Sequence, residues 1–305
     1  MGVTLNLFTL ILCIIALALP VQTNAQRLLI PMDLTQSEHL KAYGLALWVL
    51  DRGIPCEWLL NYRGGSFLIE SHKLIAEEAQ VRGIMTESIS EPEVASIYAD
   101  IDAGNMEVVR LDQVPRIAVY TPPNSQPWDD AVTLVLEYAD IEYERLFDQE
   151  VLAGKLTEYD WLHLHHEDFT GQYGKFYASY RNQPWYQDQQ RLYESMAAEL
   201  GFPKVSEQKK AVARKIRDYM NDGGFMFAMC SATDTFDIAL AAEGTDISPA
   251  VFDGDPAHSN AQENLDYNRC VAFENFSLEL NPMVYEHSNI DTTPRDIRLV
   301  KTAEA

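Results

Sequence analysis

Cysteine is scarce in this chain, with four in 305 residues, at positions 13, 56, 230 and 270. None forms a CxxC pair, and three lie beyond the first 25 residues, an odd number. A disulfide scaffold is thereby excluded, and at least one thiol stays free even in an oxidising compartment. Basic residues are also few, 23 Lys and Arg against 46 Asp and Glu, for a net charge of −23. Phosphate contacts need clustered cations, so a general nucleic-acid binder is excluded. No SGGxDS phosphate loop occurs, since Gly64-Gly65-Ser66 lacks the Asp-Ser continuation. No cysteine follows the initiator Met either, because position 2 is Gly. ATP-pyrophosphatase chemistry and an N-terminal cysteine nucleophile are not expected. The longest apolar run, Leu5 to Leu19, is short of the roughly 20 residues of a membrane span.

That run sits in a segment of 25 residues with no Asp, Glu, Lys or Arg, ending Thr23-Asn24-Ala25. Its length and its small terminal residue fit a signal peptide at 1–25, cleaved before Gln26, with an uncleaved anchor as the rival reading. A periplasmic or secreted protein without stable membrane insertion after cleavage is the expectation. An apolar fraction of 47% with 10% aromatics is globular. The length suits about two units of roughly 150 residues, or one large α/β unit.

Strand-like and helix-like stretches alternate from Leu28 onward. Leu28 to Met32 reads as a strand. Leu40, Tyr43, Leu47 and Leu50 then recur at helical spacing, and Cys56 to Leu60 is a second strand. A comparable unit runs from Ile117–Tyr120 through a helix at about Trp128 to Ala139, with Ile141 to Phe147 as its second strand. The likeness is that of a duplication or of any two β-α-β units. Between them, residues 71 to 110 read as helical and acidic, broken at Glu91-Pro92. Trp161 to His165 is a further strand, placing His163 and His165 on one face. Val205 to Asp222 is amphipathic, with Val212, Ile216 and Met220 inward and Lys209, Lys210, Arg214 and Arg217 outward. Phe225 to Met229 is an unbroken apolar run and reads as a buried strand. Apolar strands joined by helices predict a parallel sheet covered on both faces, with its site beyond the carboxyl ends of the strands. The domains expected are a β-α-β unit at 26–110 and an α/β domain at 111–305.

Ala228-Met229-Cys230-Ser231-Ala232 follows that last strand directly and precedes a helical run to Glu243. A nucleophile on a sharp strand-to-helix turn needs small residues two before and two after it, and alanine meets that need. The helix start favours an anion there, and the N–H of Ser231 is a natural oxyanion donor. A packed structural cysteine is the other reading.

These residues carry a resemblance. With Gly223-Gly224-Phe225-Met226-Phe227 before the cysteine, residues 116–244 resemble the class I glutamine amidotransferase-like group. The resemblance implies a flavodoxin-like three-layer sandwich. Four other strings carry a narrower likeness: Leu28-Leu29-Ile30-Pro31-Met32-Asp33, Leu59 to Ser66, Trp161 to Gly171 and Phe252-Asp253-Gly254-Asp255-Pro256. Through them nearly the whole exported part is similar to a secreted Bacteroidetes-type family commonly labelled asparagine synthetase B. The resemblance implies a late catalytic histidine, for which His287-Ser288-Asn289 is the nearest match. It also implies a chain longer than this one, so that the C-terminus is expected to be truncated.

His163-Leu164-His165-His166-Glu167-Asp168 is the densest cluster of ligand-type side chains. Its order, HxHHxD, differs from an HxHxDH metal site, so no metal and no cofactor are expected. His165 and His166 are instead candidates for a catalytic role beside Cys230, with Gly171 in an oxyanion loop. Aromatic residues accumulate from Phe169 to Tyr193, and Tyr173, Tyr177 and Trp185 could form a ligand face or the core of a surface excursion. Two functions therefore stand open: a Cys-dependent amidohydrolase on an amide or ester, or a non-catalytic module holding a small-molecule or glycan-like ligand. Nothing in the sequence sets an oligomeric state.

Overall fold

The computed structural model describes residues 26–125 and 130–290. The signal segment 1–25, the expected helix start at Trp128 and the C-terminal residues 291–305 lie outside the described residues. Two compact units meet between Val114 and Pro115, four residues beyond the expected boundary.

The first unit is built on a five-stranded antiparallel sheet. Its strands are β1 (Gln26–Ile30), β2 (Cys56–Leu60), β3 (Ser66–Glu70), β4 (Glu87–Ser90) and β5 (Glu107–Leu111), in the order β4-β1-β3-β2-β5. Helices α1 (His39–Asp51) and α2 (Lys73–Arg82) complete the split β-α-β arrangement, in which β3 lies between β1 and β2 and antiparallel to both. Alternation decides the faces. Leu28, Ile30, Phe67 and Ile69 pack against Leu45, Val49, Ile75 and Ala79 of the two helices. Leu29, Leu59 and Leu68 point the other way, onto Val94, Ile97 and Ile101 of α3 (Glu91–Ala103). The stretch 71–110 thus holds two strands as well as helices. Glu91-Pro92 opens α3 rather than breaking it, because a missing N–H costs nothing in a first turn. A capping box joins Ser90 and Glu93 there, with the Ser90 N–H 2.8 Å from Glu93 Oε2.

The second unit is the expected flavodoxin-like α/β sandwich. Strands β6 (Ile117–Tyr120), β7 (Glu144–Leu146), β8 (Trp161–Leu164) and β9 (Phe225–Ala228) are all parallel, in the order β7-β6-β8-β9. That is the doubly wound order with its switch point between β6 and β8. Here the two strands of the β-α-β unit are direct neighbours, unlike β1 and β2, so the two units differ in pairing. On one face Ala118, Tyr120, Leu162 and Leu164 meet α5 (Asp148–Leu152), α7 (Pro184–Glu199), α8 (Val205–Asn221) and α9 (Ser231–Ala241), with a short helix α6 (Tyr177–Tyr180) before α7. On the other, Ile117 and Val119 meet Leu136 of α4 (Ala131–Ala139).

Two expectations are corrected. β9 is an edge strand, and Phe225 and Phe227 on its outer face are 56% and 47% exposed, so this strand is not buried on both sides. Lys209 and Lys210 of α8 are buried rather than outward. Lys209 is 1% exposed and ion-paired with Asp148 at 3.0 Å, and Lys210 Nζ donates to the Thr245 carbonyl at 2.7 Å. A buried ammonium persists only with partners of this kind, which lie far away in sequence.

After α9 the chain forms a satellite core of Ile238, Ile247, Ala261 and Phe276. It is tied down by the buried Asp237 carboxylate, which accepts the N–H groups of Val271, Ala272 and Phe273, each at 2.8 Å. A short helix α10 (Ala250–Asp253) ends at Gly254 in the expected turn, and Lys204 pairs with Asp246, Asp253 and Asp255.

Candidate functional site

The turn after β9 has the conformation that the sequence calls for. Cys230 sits at φ 53°, ψ −141°, immediately before α9, with its side chain exposed. A β-carbon is strained in that region, and the cost, of order 1–3 kcal/mol, is sustained only where surrounding contacts fix it. The fixing contacts are present. Met229 N–H donates to the Leu164 carbonyl at 3.0 Å and Ala232 N–H to the His165 carbonyl at 3.2 Å. Ser231 Oγ donates to the His166 carbonyl at 2.9 Å. Thr235 Oγ1 lies 2.6 Å from the Ser231 carbonyl and 3.1 Å from that of Glu167, and it accepts the Phe169 N–H at 3.3 Å. Thr235 is a stitch that the sequence reading missed, because a threonine inside a helix carries no pattern signal.

The same contacts set the neighbours. Leu164 pairs with Ala228 across the parallel strands. Beyond the strand ends, the bond from the Ser231 hydroxyl to the His166 carbonyl holds the Cys230 turn beside the segment that follows β8. His165 lies one residue past the end of β8, beside the N-terminus of α4. Its Nδ1 is 2.7 Å from Oδ2 of Asp130, and His166 Nδ1 is 3.0 Å from His165 Nδ1. Asp130 is the N-cap of α4, where its Oδ1 accepts the N–H groups of Val132 at 2.6 Å and Thr133 at 3.2 Å. Burial would raise its carboxyl, but the His165 hydrogen bond and those two N–H groups hold it low. Partial burial, and then His165 beside it, lower His166 from its ordinary value. Asp130 was not among the sequence candidates. Its signal, an Asp ahead of a helix at the switch point of a parallel sheet, was there to be read.

His163 does not join this group. It is buried on the outer sheet face, stacked on Phe227 with ring centroids 5.3 Å apart, and burial lowers its pKa. His287 is also buried. Its Nε2 lies 3.6 Å from Oδ1 of Asp168, within the C-terminal segment. Burial opposes ionisation of Asp168, yet His287, Thr170 and the Gly174 N–H hold its carboxyl well below the usual range. That carboxylate organises the loop after β8, accepting N–H groups from Thr170 at 2.7 Å and from Gln172 and Gly174 at 2.9 Å each. Gly171 in this loop has φ +77°, and a β-carbon there would stand 2.6 Å from the Ser206 backbone. Close packing on α8 accounts for this glycine.

A cavity of about 300 Å³ opens beyond the carboxyl ends of β6 and β8. His166, Glu167, Gly171, Tyr173, Trp185 and Lys209 are among its lining residues. Glu167 is pushed up to about 8, chiefly by burial, against the pull of Lys209. Tyr173 and Trp185 line this cavity. Tyr177 instead packs on Phe252 with ring centroids 5.8 Å apart. Tyr173, Tyr186 and Tyr193 are core residues as well, so the aromatic segment is both interior and wall. Among the described residues, no helix is long and apolar enough to cross a membrane. No family model, curated protein or solved structure matches this chain, so the reading of the site rests on its geometry.

Proposed function

We propose that the protein is a cysteine hydrolase acting on an amide or ester bond of a small polar molecule, outside the cytoplasm. The observation that supports this best is the strained φ of Cys230, an exposed thiol held on a strand-to-helix turn at the carboxyl rim of a parallel sheet. Strain of this kind persists where a function repays it.

The roles follow from the neighbours. Asp130 accepts a hydrogen bond from His165 Nδ1, which leaves the His165 Nε2 lone pair as the base. Cys230 Sγ gives its proton to that base and attacks the carbonyl carbon, and the carbonyl electron pair moves onto oxygen. Ser231 N–H, at the start of α9, is the donor assigned to that oxyanion. Collapse expels the leaving group, protonated by His165, and water then hydrolyses the thioester through the same base. The cavity beside His166 holds the rest of the substrate. Its size and its aromatic walls, with the buried Glu167 beside them, suit a small polar molecule rather than a polymer.

A panel of amide and ester substrates, beginning with glutamine, tests the reading. Cys230→Ala is expected to abolish turnover. Asp130→Asn keeps the helix cap while removing the charge, and is expected to slow turnover about 100-fold or more. Hydrolysis that survives Cys230→Ala would place the chemistry elsewhere. The binding-module reading is favoured if a ligand occupies the cavity while Cys230 stays inert.

A further inference from the structure

We infer that Asp130, His165 and His166 form a binding site for one divalent transition-metal cation of the zinc type, at which the metal switches the thiol chemistry off. Three ligand atoms converge there: Asp130 Oδ2, His165 Nδ1 and His166 Nδ1. Their separations are 2.7 Å, 3.0 Å and 3.5 Å. Zinc bound at about 2.0–2.2 Å by nitrogen and oxygen needs a tetrahedral edge of about 3.3 Å, which these distances bracket. Two imidazoles and one carboxylate are a donor set suited to that class of ion.

Proton counting points the same way. His165 Nδ1 contacts both an acceptor carboxylate and another ring nitrogen. If it carries a proton, that proton serves Asp130, and His165 has no lone pair left for His166. If it carries none, it can accept from His166 but faces the carboxylate lone pair to lone pair. One proton serves one of the two contacts well, whereas a cation satisfies all three lone pairs together. The second shell is built too: Asp130 Oδ1 is fixed by two helix N–H groups. Exposure rises from Asp130 at 5% through His165 at 18% to His166 at 48%, which leaves an entry path from solvent. The thiol of Cys230 is not one of the converging atoms.

The inhibitory consequence rests on the hydrolase reading, because the metal would occupy the nitrogen and the carboxylate that orient the base. The binding itself does not. The experiment titrates metal-free full-length protein with Zn²⁺ against a chelating dye, and with Co²⁺ followed by visible absorption. One equivalent of Zn²⁺ is expected to bind. The Co²⁺ adduct should show four-coordinate d–d bands without a sulfur-to-cobalt charge-transfer band. His166→Gln, at an exposed position, should weaken Zn²⁺ at least tenfold with an unchanged thermal transition, and Cys230→Ala should leave affinity unchanged. Absence of saturable binding, indifference to His166→Gln, or loss on Cys230→Ala would each overturn the site. Saturable binding at the triangle with no hydrolase activity in any state would keep the site and remove its inhibitory role.

Discussion

Single residues in this protein matter through the partners that the fold gives them. Three cysteines lie among the described residues, and only Cys230 is exposed. Burial, with Glu57 nearby, pushes Cys56 up to about 12, and burial with Asp237 and Asp266 does the same to Cys270. Two adjacent acids are driven in opposite directions. Glu167 is raised to about 8 by burial, while Asp168 is held low by its histidine and N–H partners. Folded Glu167 keeps a proton that the unfolded chain has lost, so its contribution to stability falls as pH rises from about 4.5 to about 8. The slope is at most about 1.4 kcal/mol per pH unit. Asp168 works the other way: its contribution is present above the ordinary carboxylate range and is lost on acidification below it. Thermal unfolding followed from pH 5 to pH 8 should show the midpoint falling, and Glu167→Gln should flatten that decline. An unchanged slope in the variant would mean that the proton is held by another group.

At the scale of elements, the strands of the sheet and the helix α8 were legible because hydrophobic spacing reports them directly. Val205 to Asp222 was expected and Val205–Asn221 is found. The strands β3, β4 and β5 were not legible. They are four or five residues each and pair through backbone groups with β1 and β2, and so few residues do not separate a strand from its surroundings by spacing. The buried positions of Lys209 and Lys210 were hidden for a related reason, since Asp148 and the Thr245 carbonyl are partners that only the tertiary fold brings near. The elbow was legible from alanines at 228 and 232, whereas its base pair was split between two elements, Asp130 and His165, 35 residues apart. The loop after β8 shows how much an element depends on one contact. Gly171→Ala would force a β-carbon against the Ser206 backbone at a positive φ. It is expected to cost at least about 2 kcal/mol, read by urea unfolding. A variant as stable as the parent would mean that the loop and α8 can separate freely.

For the whole molecule, the acid excess and the parallel sheet mean different things. The net charge of −23 bears on solubility and on which partners are repelled. The order β7-β6-β8-β9 bears on function, because it brings the ends of β6, β8 and β9 to one rim. Asp130, His165 and His166 meet there, and Cys230 lies at the same rim, because the strands that carry them are parallel and adjacent. The most direct test of the central claim, that this rim presents an activated thiol, is site-resolved alkylation. Full-length protein is treated with limiting iodoacetamide at pH 7 and labelling is read by peptide mass spectrometry, beside His165→Ala. The account predicts labelling confined to Cys230 among Cys56, Cys230 and Cys270, faster than that of a small free thiol and slowed in His165→Ala. Labelling of Cys230 no faster than the free thiol, and unchanged in His165→Ala, would contradict it.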